Sequence, residues 1–148
     1  YHRNMGDRRV DVRREAVIPA DPDVVWAIVA AAERQAEWFP GMVTSTVKDD
    51  VRTVVAASGA IFLEEILTID DDTRCFEYRI TGPLHLDHHR GRITVQDDPG
   101  GTRVVYEQEL EPKALAYVLD GALGDALVGL RDLVTDGQTS RAYQDSGA

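Results

Sequence analysis

Three of the chain's four histidines and two of its arginines fall in one short stretch, LHLDHHRGRITV, residues 84–95. His85, Asp87 and His89 stand at alternate positions of what reads as a β-strand. Two imidazole nitrogens and a carboxylate on one side are donor types that hold a divalent metal. No fourth ligand is evident in the sequence, so no metal is expected. Ile93 and Val95 set the inward parity at the end of the segment, and counting back in twos turns Gly91, His89, Asp87 and His85 inward and His88, Arg90 and Arg92 outward. Leu84 and Leu86 argue for the opposite parity upstream, which a bulge near Gly91 would produce. The stretch is therefore read as a strand whose polar side chains partly line a pocket entrance, with His85 touching the ligand. A solvated strand end is the plainer alternative.

A second candidate is the pair Glu64 and Glu65. Ile61, Leu63, Leu67 and Ile69 share the parity of Glu65, which predicts that this carboxylate interrupts an apolar inner face. A buried carboxylate needs a partner. Placed across the sheet from His89, Glu65 would form an acid/base pair able to act on an enolisable ligand, with both pKa values moved toward neutrality. The simpler alternative exposes one glutamate and bridges the other to an arginine such as Arg79. Tyr106 shares its parity with Val104, Gln108 and Leu110, making it a cavity wall and a third candidate for proton transfer. Phe76 and Tyr78, of one parity with Ile80, should face the same interior. Trp38 and Tyr117 add aromatic surface that serves either a ligand or the core.

Other chemistries lack their signatures. No GxSxG elbow, phosphate loop or GxGxxG is present, and DGALGDAL, residues 120–127, has neither the lysine nor the strand context of a phosphate loop. The acidic runs at Asp70–Asp72 and at Asp97 and Asp98 lack calcium-loop spacing and read as turn formers. The lone Cys75 cannot close an internal disulfide.

The elements that must position these side chains follow from periodicity. VDVRREAVI, residues 10–18, alternates as a half-buried strand with Arg14 as its exception. Asp21, Pro22 and Asp23 then supply a cap, a first helical residue and a favourable charge for a helix whose apolar side carries Val24, Val25, Ile28 and Val29. A second short helix over 32–39 ends at Pro40 and Gly41. Six strands follow, at 42–48, 52–57, 60–69, 75–81, 84–95 and 102–110, joined by turns too short for parallel crossovers. The last element, 114–135, repeats apolar residues at three-and-four spacing, Leu115, Leu119, Leu123, Leu127 and Leu130 among them, as an amphipathic helix that must lie on something apolar.

These elements make one domain over residues 10–135 of the 148, with an N-terminal extension at 1–9 and a flexible tail at 136–148. Hydrophobic residues at 43% and charged residues at 28% suit a soluble globular chain. A formal charge of −10 repels nucleic acid and acidic membrane surfaces. The longest apolar run, 24–32, is far short of the roughly 20 residues that span a bilayer. With no recognisable signal peptide, a cytoplasmic setting is expected.

In this order of elements the chain resembles the START and birch-pollen-allergen-like (SRPBCC) superfamily of helix-grip proteins, specifically its bacterial polyketide cyclase/dehydrase and lipid transport group. The resemblance is carried by VIPADPDVVWAIVAAAERQAEWFPGM (17–42), EEILTIDDDTRCFEYRI (64–80), HRGRITV (89–95) and GGTRVVYEQEL (100–110). Asp71 and Asp72 depart from the group, whose members often carry prolines there. The resemblance implies an α+β helix-grip fold: a curved antiparallel sheet of about seven strands around a long C-terminal helix, with two short helices after the first strand and a cavity between sheet and long helix. It implies transport or sequestration of a hydrophobic, lipid-like or polyketide-like molecule, without a cofactor, by a monomer or homodimer. Trp38, Phe76, Tyr78, His85, Tyr117 and Leu123 would touch that molecule. One alternative is an aromatase/cyclase closing a poly-β-keto chain through Glu65, His89 and Tyr106. Another is a regulatory, antitoxin-like protein that binds a protein partner.

Overall fold

The computed structural model describes residues 9–146, with side chains to residue 137. Strand β1 (Val12–Ile18) leads into α1 (Pro22–Ala30), a 3-10 turn (Ala32–Arg34) and the single-turn α2 (Gln35–Trp38). Strands β2 (Met42–Lys48), β3 (Val51–Ala56), β4 (Ile61–Asp70), β5 (Cys75–Gly82), β6 (His88–Asp98) and β7 (Gly101–Glu111) follow, and after a second 3-10 turn (Lys113–Leu115) the chain ends in α3 (Ala116–Ser146). The strands form one antiparallel sheet in the order β1-β7-β6-β5-β4-β3-β2. Every neighbouring pair but β1 and β7 is a hairpin, as the short turns require. This is the expected helix-grip arrangement.

Local chemistry starts and stops the elements. The Asp21 carboxylate caps α1 by accepting the Asp23 N–H at 2.8 Å, one of the donors that a helix start leaves without an intrahelical partner. Asp49 and Asp50 turn the β2–β3 hairpin at φ 51° and 61°, the positive region that two-residue hairpin loops use and that Asp tolerates better than most residues. Asp70 accepts the Asp72 and Thr73 N–H groups in the β4–β5 turn. Asp71 there accepts the Trp26 indole N–H at 2.9 Å, so the acidic run both forms a turn and ties α1 to the sheet.

The apolar inner face of the sheet meets α1, α2 and α3 in one core that includes Ile18, Val25, Phe76, Tyr106, Leu110, Leu123 and Leu130. Arg14, the polar exception on β1, turns toward α3 and pairs with Asp120 at 3.1 Å. Helix α3 does not end at Thr135 but runs to Ser146. The apolar repeat fades after Val134, yet extending an established helix costs far less than starting one. Residues 136–146 of the expected tail thus continue α3, and the expected N-terminal extension lies outside the described residues except for Arg9, which pairs with Asp11.

Strand β6 begins at His88, four residues later than the apolar leucines suggested. Its pairing with β7 is continuous from His88 to Asp98. No bulge interrupts it at Gly91, and the parity counted back from Ile93 holds for His89 inward and His88, Arg90 and Arg92 outward. On the outer side Arg90 and Arg92 bind Glu77, and His88 binds Glu109 at 3.0 Å.

Candidate functional site

A chain of polar side chains crosses the inner face of β5, β6 and β7. His89, only 3% exposed, accepts the Ile80 N–H on Nδ1 at 3.0 Å. Its other nitrogen, Nε2, must then carry the ring proton, which it donates to Gln108 Oε1 at 3.0 Å. Gln108 Nε2 donates in turn to the Tyr78 hydroxyl at 2.9 Å, and Tyr78 and Tyr106 share a 2.5 Å hydrogen bond. Two phenolic protons serve that pair and only one can lie between the oxygens. Among the described residues no hydrogen bond takes up the other. Gly91 makes the arrangement possible, since a Cβ there would stand 2.4 Å from the Tyr78 ring.

Burial decides the protonation of this chain. It lowers the His89 pKa, keeping the imidazole neutral, and it pushes the Tyr106 phenol up to about 12. Tyr78 is raised well above the ordinary phenol value by burial and by the neighbouring Tyr106. All three groups are uncharged hydrogen-bonding partners at neutral pH.

Beside the tyrosines lies a buried ion pair. Arg52 on β3 and Glu64 on β4, directly opposite in register, meet at 2.7 Å between Nε and Oε1, with side chains 3% and 5% exposed. The guanidinium carbon sits 5.2 Å from the centroids of both Phe76 and Tyr78, within cation–π range. Burial lifts the Glu64 carboxyl above its ordinary range against the pull of Arg52. Arg52 Nη1 also reaches the Ala32 carbonyl at 3.4 Å, three residues before Gln35. Among the described residues three buried polar atoms have no hydrogen-bond partner: Arg52 Nη2 in this pair, and Gln35 Oε1 and Trp38 Nε1 on α2.

Beside the Arg52–Glu64 pair the inner face is incompletely covered. Helix α3 packs mainly on β1, with less contact to β7 and α2. Phe62, Ile66 and Ile80 face inward by their pairing with Val54, Tyr78 and Glu64, yet remain half-buried. Nearer β7 the interior is closely filled: Tyr106, Leu110, Leu123 and Leu130 have no accessible surface. Separately, a pocket of about 490 Å³ opens between α1 and the C-terminal half of α3, lined by Val24, Ala27, Ile28, Leu133 and Val134, with Asp23 and Arg34 at its polar points.

The sequence-predicted residues divide accordingly. Phe76, Tyr78, His89 and Tyr106 come together, Trp38 is buried on α2 with its indole N–H unpartnered, and Leu123 is core. Glu65 does not join them. It lies on the outer face, paired with Arg79 at 2.5 Å. Ile61, Leu63, Leu67 and Ile69, whose parity pointed Glu65 inward, are all substantially exposed, and bulges after Leu63 and between Ile66 and Thr68 break the count of two along β4. Glu64 is the inward carboxylate. His85 stands on the loop before β6, 88% exposed beside Asp87 at 3.3 Å, not at the interior. Tyr117 is 89% exposed at the start of α3 and turns away from the sheet. Among the described residues no group of His, Cys, Asp and Glu converges as a metal site. Arg52, Gln108 and Gln35 were missed. Arg52 shares its parity with the buried Val54, and Gln108 with Tyr106 and Leu110, signals that an apolar count discards because the residues are polar.

Comparison with known proteins accords with this architecture. The fold is shared with XoxI from Bacillus cereus (TM-score 0.79, 19% identity, 86% of this chain and 96% of that one). TTHA0849 from Thermus thermophilus is similar as well (TM-score 0.68, 23% identity, 85% and 97%). So is a norcoclaurine synthase mutant from Thalictrum flavum, solved with a transition-state analogue (TM-score 0.64, 15% identity, 86% and 94%). No curated protein matches the sequence. With a family model matching residues 9–135, the chain belongs to the polyketide cyclase/dehydrase and lipid transport family.

Proposed function

We propose that this protein holds an apolar small molecule, lipid-like or polyketide-like, against the inner faces of β4 and β5, for transport or sequestration. The observation that carries the reading is the juxtaposition of half-covered apolar side chains, Phe62, Ile66 and Ile80, with the buried Arg52–Glu64 pair, whose Arg52 Nη2 lacks a partner. Burying such surface against a ligand yields about 25 cal/mol per Å², and a few oriented polar groups set its direction. Acid/base turnover has less support. Both His89 nitrogens are engaged within the protein, both phenols hold their protons, and Glu65 is on the other face.

The test is displacement of an environment-sensitive apolar fluorophore from lipid-stripped protein, alongside native mass spectrometry of protein purified without stripping. Saturable displacement by long-chain apolar compounds and a co-purifying mass are expected. A protein that neither takes up the fluorophore nor carries a ligand overturns the reading.

A further inference from the structure

We infer that His89 is a proton-operated latch across a split in the sheet. Neutral, it ties the end of β5 to the start of β6; protonated, it releases them and uncovers the inner face at Ile80.

The split is visible in the pairing. Strand β5 pairs with β6 only from Cys75 opposite Thr94 to Tyr78 opposite Gly91, although β5 continues against β4 as far as Gly82 and β6 runs against β7 from His88. Continued in the same register, Arg79 would face Arg90 and Ile80 would face His89. Like charges directly opposite disfavour pairing, and each arginine is drawn to a carboxylate elsewhere, Arg79 to Glu65 on β4 and Arg90 to Glu77 before the split. Among the described residues one side-chain hydrogen bond crosses from 79–82 to 88–90, and it runs from the Ile80 N–H to His89 Nδ1 at 3.0 Å. An imidazole nitrogen thus stands where a ladder carbonyl would.

Chemistry makes this bond conditional. His89 Nε2 holds the ring proton for Gln108 Oε1, so a second proton can enter only at Nδ1, where it meets the Ile80 N–H head on. An imidazolium has two donors and no acceptor. The surrounding groups offer no free charge to hold that proton. On the inner face the ring meets Gln108 and the neutral Tyr78, at 5.5 Å between ring centroids, with Tyr106 behind it. Glu64, opposite Ile80 on β4, is bound to Arg52, and on the outer face Glu109 is bound to His88. Burial accordingly lowers the His89 pKa, so the latch is shut at neutral pH and opens on the acid side. Opening exposes the inward, half-buried Ile80 side chain.

The test is amide hydrogen exchange of the full chain followed by NMR from about pH 7.5 to about pH 5, each rate divided by the intrinsic rate at that pH. Ile80 protection should be level above about pH 7 and fall by up to about tenfold per pH unit below about pH 6.5. It should stay smaller than that of Ile93 and Tyr106, paired on the central strands. It should also be insensitive to urea well below the unfolding midpoint, because a local opening exposes little surface. His89→Gln keeps one acceptor and one donor but cannot titrate, and should level the Ile80 profile. Should that variant fail to fold, the wild-type comparison decides alone. An Ile80 profile without pH dependence overturns the latch. So does one that follows Ile93 and Tyr106 in both pH and urea, since the bond then breaks only when the whole chain unfolds.

Discussion

His89 shows how a single buried side chain changes meaning once its neighbours are known. In the strand count it is an inward imidazole set to pair with Glu65 as acid and base; in the folded chain both nitrogens are occupied by other partners and burial lowers its pKa below 6.5. The unfolded chain therefore takes up a proton near its ordinary value while the folded chain still refuses one. The stability due to this residue is full above about pH 6.5 and declines as pH falls toward the folded value. NMR of the imidazole should show an Nε2–H tautomer titrating below the ordinary range, and urea unfolding should give a stability loss between about pH 7.5 and pH 5.5 that is smaller in His89→Gln. An imidazole titrating at or above its usual value would contradict this. Arg52 and Glu64 make a second prediction. Arg52→Met alone leaves a buried carboxyl without its partner and should cost about 3–5 kcal/mol in urea unfolding, whereas Arg52→Met with Glu64→Leu should recover most of the loss. Equal losses in the two variants would mean that the pair is not coupled.

Among the elements, α3 is held by close approach as well as by its leucines. At Gly129 a Cβ would fall 2.0 Å from the Trp38 carbonyl oxygen, so α2 rests on the backbone of α3 at that point. Gly129→Ala must push the two helices apart, and because Trp38 sits at the end of α2, its indole moves with them. The expected cost is about 1–3 kcal/mol, together with weaker fluorophore binding. Gly121, eight residues earlier on the same helix, has nothing within 4 Å of its Cβ position. Gly121→Ala should stabilise by up to about 1 kcal/mol, through helix propensity and a less flexible unfolded chain. Thermal unfolding of the two variants side by side checks both, and a shift of the same sign in each would show that helix propensity alone, not the α2 contact, governs α3.

For the molecule as a whole, the helices cover the inner face of the sheet unevenly. Coverage is tight over β7 and the start of β5, where Phe76, Tyr78, Tyr106 and Leu110 are buried, and looser over β4 and the end of β5, at Phe62, Ile66 and Ile80 beside the unpartnered Arg52 Nη2. Ligand binding and folding are then one equilibrium. An apolar ligand held at a hundred times its dissociation constant should raise unfolding free energy by about 2.7 kcal/mol, measured as a concentration-dependent rise in Tm. No rise at saturation would mean that the compound binds the unfolded chain equally well. The outer face of β3 and β4 meanwhile leaves Val51, Ile61, Leu63 and Leu67 exposed, and no helix among the described residues is long and apolar enough to cross a membrane.

Element order, strand number, the hairpin connections and the capped start of α1 were legible in the linear chain, because each depends on local chemistry: alternation, turn residues, and the N–H groups that a helix start exposes. Inward parity could be read on β5, β6 and β7, whose inner faces are apolar enough to declare themselves. It could not be read on β4. There the solvent side carries Ile61, Leu63 and Leu67, the core side carries Glu64 between Phe62 and Ile66, and two bulges shift the count, so only the pairing of Glu64 with Arg52 across the sheet decides which glutamate is buried. The same holds for the hydrogen-bonded chain from Ile80 through His89 and Gln108 to the tyrosines. Its members lie up to 30 residues apart in sequence, and a polar residue becomes tolerable in a core only when the folded backbone has brought its partner within about 3 Å.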